Sequence, residues 1–118
     1  VWTVNTAQWD GVTKYDKTST SNVVQGYSQY KLDLSTSGSV TLTEFDGKIF
    51  TGTYTVATDG LSLTLNGLTS ADGAPTGTGG TITYSILVTP TATTLSLQQT
   101  TAYVKASSAI VKLALVNP

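Results

Sequence analysis

Seven carboxylates are the side chains of this sequence best equipped for chemistry: Asp10, Asp16, Asp33, Glu44, Asp46, Asp59 and Asp72. Glycoside hydrolysis needs two such groups held across a cleft, and a hard cation needs a convergent set of oxygens. Asp10, Asp46, Asp59 and Asp72 each precede a glycine, however, and Asp-Gly is explained by turn chemistry. Glu44 and Asp46 stand two apart, which is half of a calcium set at most, and no other donors converge on them by sequence. The many serines lack a Gly-x-Ser-x-Gly context, and the chain has no His to act as their base. Cys is absent as well, which removes thiol nucleophiles, thiolate metal sites and any disulfide framework. No catalytic residue, metal site or cofactor is assigned, and the expectation is a protein that is not an enzyme.

The elements carrying these groups are strands. Through 27–66, Tyr30, Leu32 and Leu34 alternate with Lys31 and Asp33, and Val40 and Leu42 with Thr41 and Thr43. Phe50, Tyr54 and Val56 alternate with Thr51, Thr53 and Thr55, and then Leu61, Leu63 and Leu65 with Ser62, Thr64 and Asn66. Period 2 is the mark of a strand with one buried face. Paired residues on antiparallel strands share a face, so core parity constrains each loop. Thr36-Ser37-Gly38 and Phe45-Asp46-Gly47 connect even parity to even and must hold an odd number of residues. A type I turn with a glycine bulge fits both, pairing Leu34 with Val40, Leu42 with Phe50 and Glu44 with Lys48. Between Val56 and Leu61 the parity flips, and a two-residue type I′ turn at Asp59-Gly60 is expected. The four strands form a meander.

Composition excludes some partners. Among 118 residues the net charge is −1, only 11% are charged and none is Arg, so the basic patch of a nucleic-acid binder is missing. No apolar run reaches the length of a membrane span, so no transmembrane segment is expected. Thr makes up about a fifth of the chain, which suits the wet face of an all-β protein. A weakly charged Thr/Ser/Gly-rich surface points to a cell-envelope or secreted setting. The sequence opens at Val1 with Trp2 already in a strand pattern, as a piece trimmed from a longer precursor would.

In the remaining chain, 1–9 reads as a first strand with Trp2 and Val4 on one face, and Asp10-Gly11 as a turn. The polar stretch 12–26 reads as a surface connector or, alternatively, as a lid over a cavity mouth. The Gly-rich 66–80 lacks the Gly-Lys-Ser/Thr ending of a phosphate loop and is a linker. Ile82, Tyr84, Ile86 and Val88 share one face, Leu95 and Leu97 face inward with Ser96 and Gln98 outward, and 99–108 is a loop. The last strand, 109–116, turns Val111, Leu113 and Leu115 inward and Lys112 to water. Eight antiparallel strands joined by short hairpins close into an up-and-down barrel forming a single domain over 1–118, without exposed edges. An immunoglobulin-like sandwich is the alternative, opposed by the tight consecutive hairpins. At eight strands the interior is filled or holds one small ligand.

Two sets of aromatics follow. Trp2, Tyr30, Phe50, Tyr54 and Tyr84 face inward and are the candidates to line a cavity for a small apolar or amphipathic ligand, though core packing alone accounts for them. Inward tyrosines need partners for their hydroxyls, which implies a polar or hydrated interior. Trp9, Tyr15, Tyr27, Phe45 and Tyr103 fall outside the core parity or in loops, where they could form a glycan-stacking platform. Thr-x-Thr recurs at Thr41/Thr43, Thr51/Thr53/Thr55, Thr76/Thr78, Thr81/Thr83 and Thr89/Thr91. An ordered surface such as ice or a polysaccharide could be bound by such an array, but the wet face of a strand explains it as well.

The opening VWTVNTAQWDGVTKY, the central YKLDLSTSGSVTLTEFDGKIFTGTYTV, then DGLSLTL, TTLSLQQT and the closing IVKLALV resemble the small bacterial lipocalin-like domains of predicted envelope lipoproteins. The resemblance spans nearly the whole chain and rests on hydrophobic pattern. It implies a lipocalin-like barrel, an early Trp at the start of the first strand (here Trp2), and a closing face of Val111, Leu113 and Leu115. Two features depart from the larger lipocalins: no Arg is available to pack on that Trp, and no helix follows the barrel. A structural or adhesive module that contacts a glycan or protein partner through its surface and the long loops 12–26 and 66–80 is the second expectation.

Overall fold

The computed structural model describes residues 1–75 and 78–117. Nine strands form one antiparallel sheet: β1 (Trp2–Trp9), β2 (Val12–Asp16), β3 (Lys31–Asp33), β4 (Ser39–Thr43), β5 (Ile49–Val56), β6 (Ser62–Thr69), β7 (Ile82–Ile86), β8 (Thr94–Gln99) and β9 (Val111–Val116). From β3 to β9 each strand pairs with the next, and β9 pairs with β1 to close the barrel. Both β2 and β3 lie antiparallel to β1, β2 along its second half and β3 along its first. They are two pieces of one stave, so nine strands make an eight-stranded up-and-down barrel. The free edge of β2 is covered by its own connection: Val24 N–H donates to the Lys14 carbonyl and Asp16 N–H to Asn22 Oδ1, at 3.0 and 2.9 Å. Covering it prevents the edge from pairing with another chain.

The parity of the meander holds where it was expected to. Leu32 pairs with Leu42, and Leu42 in turn with Phe50. Glu44 N–H reaches the Lys48 carbonyl at 2.9 Å around Phe45-Asp46-Gly47. Gly38 and Gly47 both take positive φ (78° and 86°), as the bulged turns require. The type I′ turn, in contrast, belongs to Asp10-Gly11, where both residues have positive φ (51° and 81°). At Asp59-Gly60 only the glycine does, and Ala57 N–H bonds the Ser62 carbonyl at 3.0 Å around a four-residue loop. That loop keeps the even count but takes Leu61 out of the strand to stand exposed rather than inward. Val88 likewise lies beyond the end of β7 in the next turn and is exposed.

Two bulges move side chains between faces. In β1 the register against β9 slips between Val4 and Thr6, so inward Val4 is followed by inward Ala7. In β6 the register against β5 slips opposite Gly52, and inward Leu65 is followed by inward Leu68. A Cβ on Gly52 would stand 2.4 Å from the Asn66 carbonyl oxygen, so only glycine fits beside this bulge. The stretch 12–26 is not one surface connector, because it opens with β2 and ends in a 3-10 helix, Gln25–Gln29. The 99–108 loop contains a second 3-10 turn, Val104–Ala106. Thr76 of the Thr76/Thr78 pair, and part of 66–80, lie outside the described residues. Among the described residues no helix is long and apolar enough to cross a membrane.

Candidate functional site

Of the five cavity candidates, Tyr30, Phe50 and Tyr84 are buried in the core, while Trp2 and Tyr54 are half-buried and packed against it. The Tyr54 hydroxyl donates to the Leu34 carbonyl at 3.4 Å. Leu32, Leu42, Leu65, Leu97 and Leu113 are buried in the same core. None of the five borders the concavities of about 580, 450, 330 and 100 Å³ among the described residues. The largest of these, about 580 Å³, is a groove on the outside of the wall between Thr3, Lys31, Asp33, Thr41 and Thr43. A second, about 330 Å³, lies at one rim between Leu61, Ile86, Leu87, Val88 and Pro90.

The aromatics expected at the surface are gathered instead at the other end of the barrel, mostly out of water. Tyr15, Tyr27 and Tyr103 are buried, and Trp9 and Phe45 pack against the core. Tyr15 is turned inward because it pairs with Ala7 across the β1–β2 hairpin. The 3-10 helix Gln25–Gln29 carries Tyr27 into the centre of the group, with ring centroids 4.9 Å from Phe45, 6.0 Å from Tyr30 and 6.1 Å from Tyr15. Trp9 Nε1 donates to the Tyr27 hydroxyl at 2.9 Å. Gln29 Nε2 donates to the Phe45 carbonyl at 2.8 Å, and a Cβ on Gly26 would fall 2.0 Å from that same oxygen. The helix therefore docks on the β4–β5 turn through a glycine that cannot be replaced without a shift. Isolated by sequence, these rings form one cluster only because the bulge in β1 and the 3-10 helix bring them together.

Beside that cluster lies a buried ionic group. Glu44, at the end of β4, is 3% exposed and accepts a hydrogen bond from the Tyr103 hydroxyl. Lys105 Nζ, on the same loop as Tyr103, stands 2.9 Å from Asp46 Oδ2 and 4.0 Å from Glu44 Oε2. Its ammonium also lies 4.9 Å from the centre of the Phe50 ring. Burial pushes the Glu44 carboxyl above its usual range, outweighing the lowering by the Tyr103 hydroxyl and the Lys105 charge. For Asp46, nearer to water, burial is the largest single effect and raises the carboxyl, but the Lys105 ammonium and the Lys48 N–H and charge together outweigh it and hold it below its usual range. Burial raises the Tyr27, Tyr30, Tyr84 and Tyr103 phenols too, and the Glu44 charge adds to that in each. The buried Tyr30 hydroxyl meets no partner at hydrogen-bonding geometry.

In this arrangement Glu44, buried, and Asp46, 34% exposed, share one ammonium, and no group of three metal-ligating acids occurs among the described residues. The remaining aspartates serve their own turns. Asp16, Asp33 and Asp59 accept backbone N–H groups two residues on, at 2.9, 3.0 and 2.9 Å. Asp10 instead accepts the Ile110 N–H at 2.8 Å and ties the β1–β2 turn to the start of β9. No protein-family model, curated protein or solved structure matches the chain.

Proposed function

We propose that this barrel is a non-catalytic recognition or structural module that works through its outer surface, in an envelope or secreted setting. The observation that supports this reading is the buried core. Tyr30, Phe50 and Tyr84, the residues best placed to line a ligand cavity, are buried in the core, and the concavities of about 580, 450 and 330 Å³ lie on the outside of the wall and at the rim. Around β4–β7 the outward residues Thr41, Thr43, Thr51, Thr53, Thr55, Thr64, Thr69 and Thr83 carry no charge. Lys31 and Asp33 flank that wall at the 580 Å³ groove. Hydroxyls and methyls beside one cation and one anion suit a glycan or a protein partner better than a lipid. Titration with a fluorescent fatty-acid analogue tests the reading, following probe emission and Trp quenching together. No saturable signal up to the probe's solubility is expected. Saturable one-to-one binding that is lost in Tyr84→Trp would overturn it in favour of an interior ligand site.

A further inference from the structure

The loop between β8 and β9 closes the end of the barrel, and little in its own conformation holds it there. Ser107 and Ser108 both adopt left-handed backbone (φ 54° and 61°), which side-chain-bearing residues disfavour. Within the loop, Ala106 and Ser108 N–H groups donate to the Tyr103 carbonyl and Ala109 N–H to the Ala106 carbonyl, at 3.0, 2.9 and 3.0 Å. These bonds make it a local unit. What fixes that unit to the barrel is Tyr103, Lys105, Ala106 and Ala109, all directed inward, and bonds at its two ends, from Thr100 N–H to the Thr83 carbonyl at 3.0 Å and from Ile110 N–H to Asp10 Oδ1 at 2.8 Å, while Val104 is exposed. A polar pocket of about 100 Å³, bordered by Thr83, Gln99, Ala102 and Tyr103, runs along the seam between the loop and the wall.

We propose that residues 100–110 are a hinged plug over this end of the barrel, latched through Glu44, and that loss of the Glu44 proton releases it. With Glu44 protonated, the covered Lys105 ammonium is balanced at 2.9 Å by Asp46, whose side chain is 34% exposed to water. Ionised, Glu44 adds a second carboxylate to the same ammonium, 4.0 Å away and cut off from water. The groups acting on Glu44 come from every side: Tyr103 and Lys105 from the plug, Asp46 from its own hairpin, Tyr84 from β7, and Tyr27 and Tyr30 from the 3-10 helix and its end. Lys48 pairs with Glu44 through its backbone and acts on Asp46. Only Lys105 and the Tyr103 hydroxyl favour the ionised form at Glu44 from across the seam, and opening the plug exchanges both for water. Because burial raises the carboxyl in the closed state, opening is linked to release of one proton.

Amide hydrogen exchange as a function of pH tests this, with each rate divided by that of an unstructured peptide at the same pH. Above the ordinary Glu value of 4.5, the opening constant at Thr100 and Ile110, whose N–H groups bond the wall at the Thr83 carbonyl and Asp10 Oδ1, is expected to rise by up to about tenfold per pH unit. The strand amides of β8 and β9 should stay far better protected than these amides at every pH. In Glu44→Gln the profile should be flat. An equal rise in Glu44→Gln, or strands opening with the same constant as the loop, would overturn the proposal. Tyr103→Phe keeps the ring and removes one group that favours the ionised carboxyl, so its rise should continue to higher pH. A profile identical to wild type in that variant would also overturn the latch.

Discussion

The two ends of this barrel are built from the same staves and differ in almost everything else. At one end the staves are joined by 34–38, 57–61 and 87–93, all short, and the exposed Val56, Leu61, Leu87 and Val88 stand at the rim uncovered. At the other, 17–30, 70–81 and 100–110 are the long connections, and two of them fold back to deliver Tyr27, Tyr103 and Lys105 under cover. A short hairpin has no residues to spare beyond reversing the chain, so it leaves a mouth as the strand ends make it. A longer connection can add side chains to the core, and here those side chains include the buried charges. Tertiary specificity is therefore concentrated at one end.

The largest break in that contrast should come from Tyr27→Ala. Tyr27 is 2% exposed, touches three other rings and accepts the Trp9 N–H, so its loss should cost about 3–5 kcal/mol in urea unfolding. Glu44→Gln sharpens the comparison through pH. Because the folded value of Glu44 lies above its unfolded 4.5, its favourable contribution is complete below pH 4.5 and is lost as pH rises through the folded value. Wild-type stability should fall over that interval by up to about 1.4 kcal/mol per pH unit, and the variant should not show this fall. Asp46 works in the opposite sense, contributing above 3.8 and losing that contribution as pH falls through its lowered value, so both proteins should keep this acid-side loss. The smallest effect belongs to the open rim, where Leu61→Ser with Val88→Ser should stay within about 0.5 kcal/mol of wild type in the same unfolding measurement. A loss of several kcal/mol there would mean that the rim packs as tightly as the closed end.

The wall of the barrel was legible from alternation, because a strand in a closed sheet has one face to bury and its parity passes through each hairpin. Leu32, Leu42, Phe50, Leu97 and Leu113 were placed inward on that ground, and all are buried. Parity misled where the backbone slips a residue. The bulge between Val4 and Thr6 turned Ala7 inward, and with it the paired Tyr15, which had been assigned to the surface. It also misled where a strand ends early, as at Leu61 and Val88. The candidate site fared worse, since Glu44, Tyr103 and Lys105 carry no local motif and two of them lie about 60 residues from the third.

By itself the sequence determined the strand count to within one broken stave, the register of the meander, and the lack of His, Cys and Arg that narrows the available chemistry. These follow from local periodicity, turn residues and composition, which act over a few residues at a time. Only the tertiary structure decided that Tyr30, Phe50 and Tyr84 are buried in one core, that five scattered aromatics share one end, and that Glu44 is buried against Tyr103 and Lys105. Burial and charge pairing depend on which distant segments meet, and that is set by the closure of the barrel and the path of its long connections, not by any short stretch of chain.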